Sequence, residues 1–167
     1  RDNDCGIDVC EWIKSRRLLD MINLRDEYEW SPLRYVVAGA RGDQQQKEFK
    51  ARWMMANGAN INATTTGNTT IFSFACAYRS LSFLQELADK VTQDHLSMPN
   101  SSGTSPMQFA FQYNPDCLPI VRMLILRGAT VRPQDFPAFF GRRHLLDDRA
   151  DLLASLEADL RLTAPLL

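Results

Sequence analysis

Hydrophobic positions along this 167-residue chain fall in short bursts separated by polar breaks. The stretch from Asn100 to Val131 shows the pattern. A polar Gly turn and a Ser-Pro step lead into "MQFAF", a break follows at "QYNPDC", and "LPIVRMLIL" runs on to Gly128-Ala129. Val121, Leu124 and Ile125 stand at i, i+3 and i+4, the spacing of a single helical face. Neither burst is long enough to hold a helix alone in water. Each therefore predicts a short amphipathic helix that a neighbour must complete.

The same order recurs. "YEWSPLRYVVAGA" (Tyr28–Ala40), "GNTTIFSFACAY" (Gly67–Tyr78) and "GTSPMQFAFQY" (Gly103–Tyr113) align so that Ser31-Pro32-Leu33, Thr69-Thr70-Ile71 and Ser105-Pro106-Met107 share a column. Pro32 to Thr70 is 38 residues and Thr70 to Pro106 is 36. Ser or Thr ahead of Pro caps a helix start, and Pro gives up an N–H that has no partner there. "MMANGANIN" (Met54–Asn62) and "LILRGATV" (Leu124–Val131) close two of the units. Gly58 and Gly128 sit there at positions that call for a left-handed turn. Two short helices per unit form a thin layer, apolar toward each neighbour, and stacking such layers completes the core.

At these residues the chain resembles the ankyrin repeat family, whose unit is about 33 residues long. "INLRDEYEWSPLRYVV" (Ile22–Val37) and "LSMPNSSGTSPMQFAF" (Leu96–Phe111) follow that family's turn, TPLH-like and helix order, and Gly58-Ala59-Asn60-Ile61-Asn62-Ala63 is similar to its exit. The departures are Arg34, Phe72 and Gln108 in place of the motif's His, Thr70 in place of Pro, and no Gly-His between the helices. Extra residues lie in "GARGDQQQKEF" and "NPDCLP", and the middle unit ends in "ADKVTQDHLS". The resemblance covers Ile22 to Val131. It implies an all-α fold, an ankyrin-like helical repeat solenoid with β-hairpin or turn fingers between repeats. The expected organisation is one domain: a partial repeat or cap at 1–28, repeats at 29–63, 64–97 and 98–131, and capping helices at 132–167.

The flanks fit that scheme. "IDVCEWIKSRRLLDM" (Ile7–Met21) reads as the second helix of a preceding unit. Beyond Val131, Leu145, Leu152, Leu153, Leu156 and Leu160 line one face, with Asp147, Asp148, Asp151, Glu157 and Asp159 largely off it. A terminal cap needs such an acidic outer side; a partner-binding helix is the rival reading. The chain begins with Arg1, and we expect it to be a piece of a larger polypeptide.

Charge narrows the function. With 19 basic and 20 acidic residues the formal net charge is -1, so no global field favours nucleic acid or a membrane surface. No nucleic-acid partner and no membrane span are expected. Cys5, Cys10, Cys76 and Cys117 are too scattered for a disulfide framework and predict an intracellular setting, cytoplasmic or nuclear. Nucleotide-loop, zincin and nucleophile-elbow motifs are missing. A Cys76 or Cys117 nucleophile with His95 or His144 can be written down, but both cysteines fall at apolar helical positions, where thiols are inert. Cys5 and Cys10 have no second pair to complete a zinc site. No cofactor, metal or catalysis is expected. A regulatory part of a larger enzyme, or a cysteine-dependent enzyme, is the alternative.

The resemblance implies binding of a protein partner through hairpin tips and the concave row of first helices. Tyr28 and Trp30, flanked by Arg25, Glu27 and Glu29, have the amphipathic makeup of an interface anchor. The other tips carry Thr64, Thr66 and Asn68, then Ser101, Ser102 and Thr104. Along the groove we expect Arg34, Ala38, Gln108 and Gln112. Phe72, Phe74, Phe83, Phe109 and Phe111 are expected in the core.

Overall fold

The computed structural model describes residues 21–39, 42–132 and 135. The helix read at Ile7–Met21, but for its last residue, and the capping helices at 132–167, but for Arg132 and Asp135, lie outside the described residues.

The described chain is all-α. Its helices are α1 (Pro32–Ala38), α2 (Gln44–Ala56), α3 (Ile71–Tyr78), α4 (Leu81–Ala88), α5 (Pro106–Tyr113) and α6 (Cys117–Leu126), with a 3₁₀ turn at Gln93–Leu96 before α5. Among the described residues there is no strand, only an isolated antiparallel bridge between Thr64 and Thr70.

Local chemistry starts the first helix of each pair. The Ser31 hydroxyl accepts from the Arg34 N–H at 3.3 Å, that of Thr70 from Ser73 at 3.0 Å, and that of Ser105 from Gln108 at 3.1 Å. Gln108 answers with its side-chain oxygen, which accepts from the Ser105 N–H at 2.9 Å and closes a capping box. Pro32 and Pro106 occupy the first helical turn. The structure thus corrects the column read from the sequence: the middle cap is Thr70, not Thr69, and Ile71 takes the proline position. The Thr69 N–H instead joins the turn, donating to the Thr65 hydroxyl at 3.3 Å.

Each cap follows the same turn. Asp26, Thr65 and Asn100 donate their N–H to the carbonyls of Trp30, Thr69 and Thr104, and accept from Glu29, Asn68 and Gly103. That fourth position has positive φ in all three: 60° at Glu29, 56° at Asn68 and 81° at Gly103. Asp26 and Asn100 also hold the turn with a side-chain oxygen, accepting from Tyr28 and Trp30 and from Ser102 and Thr104. The turns bond to one another. Thr66 N–H donates to Tyr28 at 3.4 Å, and Ser101 N–H donates to Gly67 at 2.9 Å.

The second helices end where the glycines stand. Gly58 (φ 90°) and Gly128 (φ 80°) let Ala59 and Ala129 donate back to Met54 and Leu124 at 3.0 and 2.9 Å. The middle unit has Lys90 at the glycine's place, without a positive φ, and Val91 turns back onto Leu87.

Helices pair as α1 with α2, α3 with α4 and α5 with α6. The first helices pack in succession, α1 on α3 and α3 on α5, and α4 meets α6. Leu33, Ile71, Phe72, Phe83, Leu84, Leu87, Ile120 and Leu124 are fully buried between them. Each such side chain contributes about 1.5–3 kcal/mol by leaving water, which offsets the weak helicity of segments this short.

Polar reach-back ties consecutive pairs together. Arg79, at the C-cap of α3 and 3 % exposed, donates to Val37 O at 2.9 Å and Gly39 O at 2.6 Å, the open end of α1. Asn114, at the C-cap of α5, donates its amide to Cys76 O at 3.0 Å and Arg79 O at 3.1 Å, the open end of α3. Those carbonyls have no intrahelical partner.

Candidate interaction surface

The corrected register has a consequence for the outer face of the first helices. Counted from the caps, Tyr35, Phe74 and Phe109 fall at one helical position, the fourth after Ser31, Thr70 and Ser105. Tyr35 is 51 % exposed, and Phe74 and Phe109 are half-buried. Phe74 and Phe109, expected in the core, pack against it while keeping part of each ring in solvent. Phe72, Phe83 and Phe111 are buried as expected.

These rings join into a row. Phe74 and Phe109 meet edge to face with centroids 5.8 Å apart; Phe109 and Tyr113 are 6.0 Å apart, as are Tyr78 and Tyr113. At the other end Trp30 touches Tyr35 at 5.1 Å and Tyr28 at 5.9 Å. Arg34 bridges the two groups. Its guanidinium carbon lies 3.1 Å from the Trp30 centroid and 4.2 Å from that of Phe74. Half-burial there holds the Arg34 pKa below the usual value, and its Nε is enclosed without a hydrogen-bond partner. The ring faces on either side supply the attraction that the missing bond does not.

A carboxylate–phenol contact braces this end. The Tyr35 hydroxyl donates to Asp26 Oδ2 at 2.5 Å. The bond holds the Asp26 carboxyl below the ordinary range and pushes the Tyr35 phenol above its own.

The tip residues are spread along the three turns. Arg25 is exposed and pairs with Glu29 at 2.7 Å; Glu27 is exposed, and Tyr28 is 56 % exposed. Trp30 is not a bare tip: half-buried, it lies under Arg34 and against Tyr35, and so it packs as well as projects. Thr66, Ser101 and Ser102 are exposed; Thr64, Asn68 and Thr104 are half-buried. Asn68 holds the left-handed turn position and Thr104 accepts the turn's closing bond. Gln112 is exposed on α5, Ala38 is half-buried on α1, and Gln108 is engaged in the capping box. The structure thus brings together Tyr28, Trp30 and Arg34, and bonds the Thr66 tip to the Tyr28 carbonyl. Tyr35, Phe74, Tyr78, Phe109 and Tyr113 were not expected at this surface; their four-residue steps, Phe74 to Tyr78 and Phe109 to Tyr113, were the available signal.

Beyond Tyr78 and Tyr113 the row opens into a groove of about 990 Å³, where the loops between paired helices meet the starts of α2, α4 and α6. Its charged lining residues are Asp43, Glu48, Arg79 and Asp116. Glu48 is buried and accepts from the Ser80 N–H at 2.8 Å, and Asp43 caps α2 through Gln45 at 2.8 Å. Burial holds the Arg79 pKa down, partly opposed by Glu48.

Cys76 and Cys117 are buried, and burial pushes the Cys76 thiol well above its usual pKa. Among the described residues no three His, Cys, Asp or Glu side chains gather as metal ligands would, and no helix is long and apolar enough to cross a membrane. No protein-family model matches the chain, and a comparison with curated proteins finds no match.

Proposed function

We propose that this chain is a non-catalytic protein–protein interaction module of the ankyrin-repeat type. Its helical pairs stack as a solenoid, its turns project as fingers, and its first helices line the concave side. The partner is a protein held by the fingers and that concave row, in an intracellular setting and as part of a larger polypeptide. The observation that carries this reading is the aromatic row running across all three first helices, with Tyr28, Tyr35 and Tyr113 half exposed along it. Contiguous exposed aromatics on a rigid, pre-organised face are what an interface core uses. The repeated turn supports the same reading, because one hydrogen-bond pattern at three positions, cross-bonded from turn to turn, is what a stacked repeat requires.

The test is capture of binding proteins from a cell extract by the 167-residue chain, compared with Tyr28→Ala, Tyr113→Ala and a variant altered at all three tips. Specific capture lost in these variants, with melting within a few degrees of the parent, is the expected result. Capture that survives every variant, or that disappears only together with the fold, refutes the reading. Trp30→Ala is a weaker probe, because the packing of Trp30 under Arg34 makes it part of the fold as well.

A further inference from the structure

We infer that the far half of the aromatic row, from Phe109 and Tyr113 to Tyr78 and the groove beyond, receives an extended arginine-bearing segment of the partner. This rests on reading the chain as an interaction module and names the chemistry of what it takes.

The near half of the row already holds a guanidinium. Arg34 lies between Trp30 and Phe74, flat cation against two rings. Past Phe74 the row continues through Phe109, Tyr113 and Tyr78, and among the described residues no cation stands over these rings. Arginine is the cation suited to such a place, since its guanidinium is planar and more weakly hydrated than an ammonium.

Charge points the same way. The groove that Tyr78 and Tyr113 open into is lined by three carboxylates and one cation. The cation, Arg79, is buried and directed at the carbonyls of Val37 and Gly39. Asp116 is exposed, and its carboxylate does not cap α6. Glu48 is buried too, held by the Ser80 N–H and 3.9 Å from Arg52, so the charges that face the incoming chain are the exposed Asp43 and Asp116, and an anionic partner is repelled. Spacing adds a third constraint. Alternate residues of an extended chain recur on one side about every 6.6–6.8 Å. The ring centroids of Phe109 and Tyr113 are 6.0 Å apart, and those of Tyr113 and Tyr78 likewise. Arginines at every second position can address successive rings.

The experiment uses the full chain and a fluorescein-labelled Gly-Ser-Arg-Gly-Arg-Ser-Gly peptide, followed by anisotropy against the same peptide with citrulline for arginine. Citrulline keeps the shape and removes the charge. The arginine peptide is expected to bind at least about tenfold more tightly, the measure of one or two desolvated cation–π contacts. Tyr113→Ala and Asp116→Asn should each weaken it about fivefold, whereas Tyr113→Phe, which keeps the ring face, should not. If Tyr113→Ala fails to fold, Asp116→Asn and Tyr113→Phe still decide the matter. Equal binding of both peptides, no binding of the arginine peptide at millimolar concentration, or indifference to Asp116→Asn and Tyr113→Ala overturns the inference. A protein still captured through the tips would in those cases keep the broader reading; loss of tip-dependent capture as well would end both.

Discussion

Asn114→Ala isolates the reach-back that joins the third helical pair to the second. Asn114 is 4 % exposed. Its amide donates to Cys76 O at 3.0 Å and Arg79 O at 3.1 Å, and its oxygen accepts from the Asp116 N–H at 3.0 Å. Alanine removes the partner of all three main-chain groups at once. Each buried group left unsatisfied costs about 1–3 kcal/mol, and water entering from the adjoining groove recovers part of that. We expect a net loss of about 2–4 kcal/mol, read as a lower urea midpoint by far-UV circular dichroism. For a domain of this size each kcal/mol lowers the melting temperature by about 2–4 °C, so the variant should melt about 4–16 °C early. Asn114→Asp supplies a sharper control. A carboxylate placed against two carbonyls is repelled at neutral pH, and acidification should relieve this by giving the group a proton to donate. An Ala variant within about 0.5 kcal/mol of the parent, or an Asp variant that matches it at neutral pH, would refute the assignment of these bonds as structural.

Gly58→Ala forces a side chain into the left-handed region at φ 90°, where nothing within 4 Å obstructs the new methyl, so backbone strain alone sets a cost of about 1 kcal/mol. Gly58→Asn should recover part of it, and chemical denaturation of both variants checks the order. His95 is buried with its Nδ1 unpartnered, and burial depresses its pKa from the ordinary 6.5. The folded state therefore takes up a proton less readily than the unfolded chain, and stability falls as pH drops below that value toward the folded pKa. Denaturation midpoints across this window should slope less steeply in His95→Gln; an identical slope would assign the dependence elsewhere. Cys76, buried and with its thiol pKa pushed up, should be alkylated by iodoacetamide far more slowly in the native chain than after denaturation. Site-resolved mass spectrometry reads this directly, and rapid native labelling would revive a cysteine-dependent activity.

Caps and exits were legible because their causes are local. Ser31-Pro32 and Ser105-Pro106 start helices, and Gly58 and Gly128 end them, by rules that span a few residues. The middle unit misled because Thr69 and Thr70 are adjacent and either hydroxyl could serve as a cap. Turn closure onto Thr65 decides for Thr70, and a sequence pattern does not show that bond. The one-residue slip hid the Tyr35, Phe74 and Phe109 column. With Phe72 set beside Arg34 and Gln108, the phenylalanines all resemble core. The place of Trp30 in the turn was legible, but its packing under Arg34 depends on where the guanidinium folds. Arg79 and Asn114 could not be read at all, since each meets carbonyls some 35–43 residues earlier in the chain.

The backward aim of those two side chains gives the molecule a direction. A nascent chain leaving the ribosome exposes α1 before Arg79 exists to finish it, and α3 before Asn114 has emerged. Maturation of each layer thus waits on synthesis of the next, and a premature stop between them releases a fragment frayed at its youngest edge.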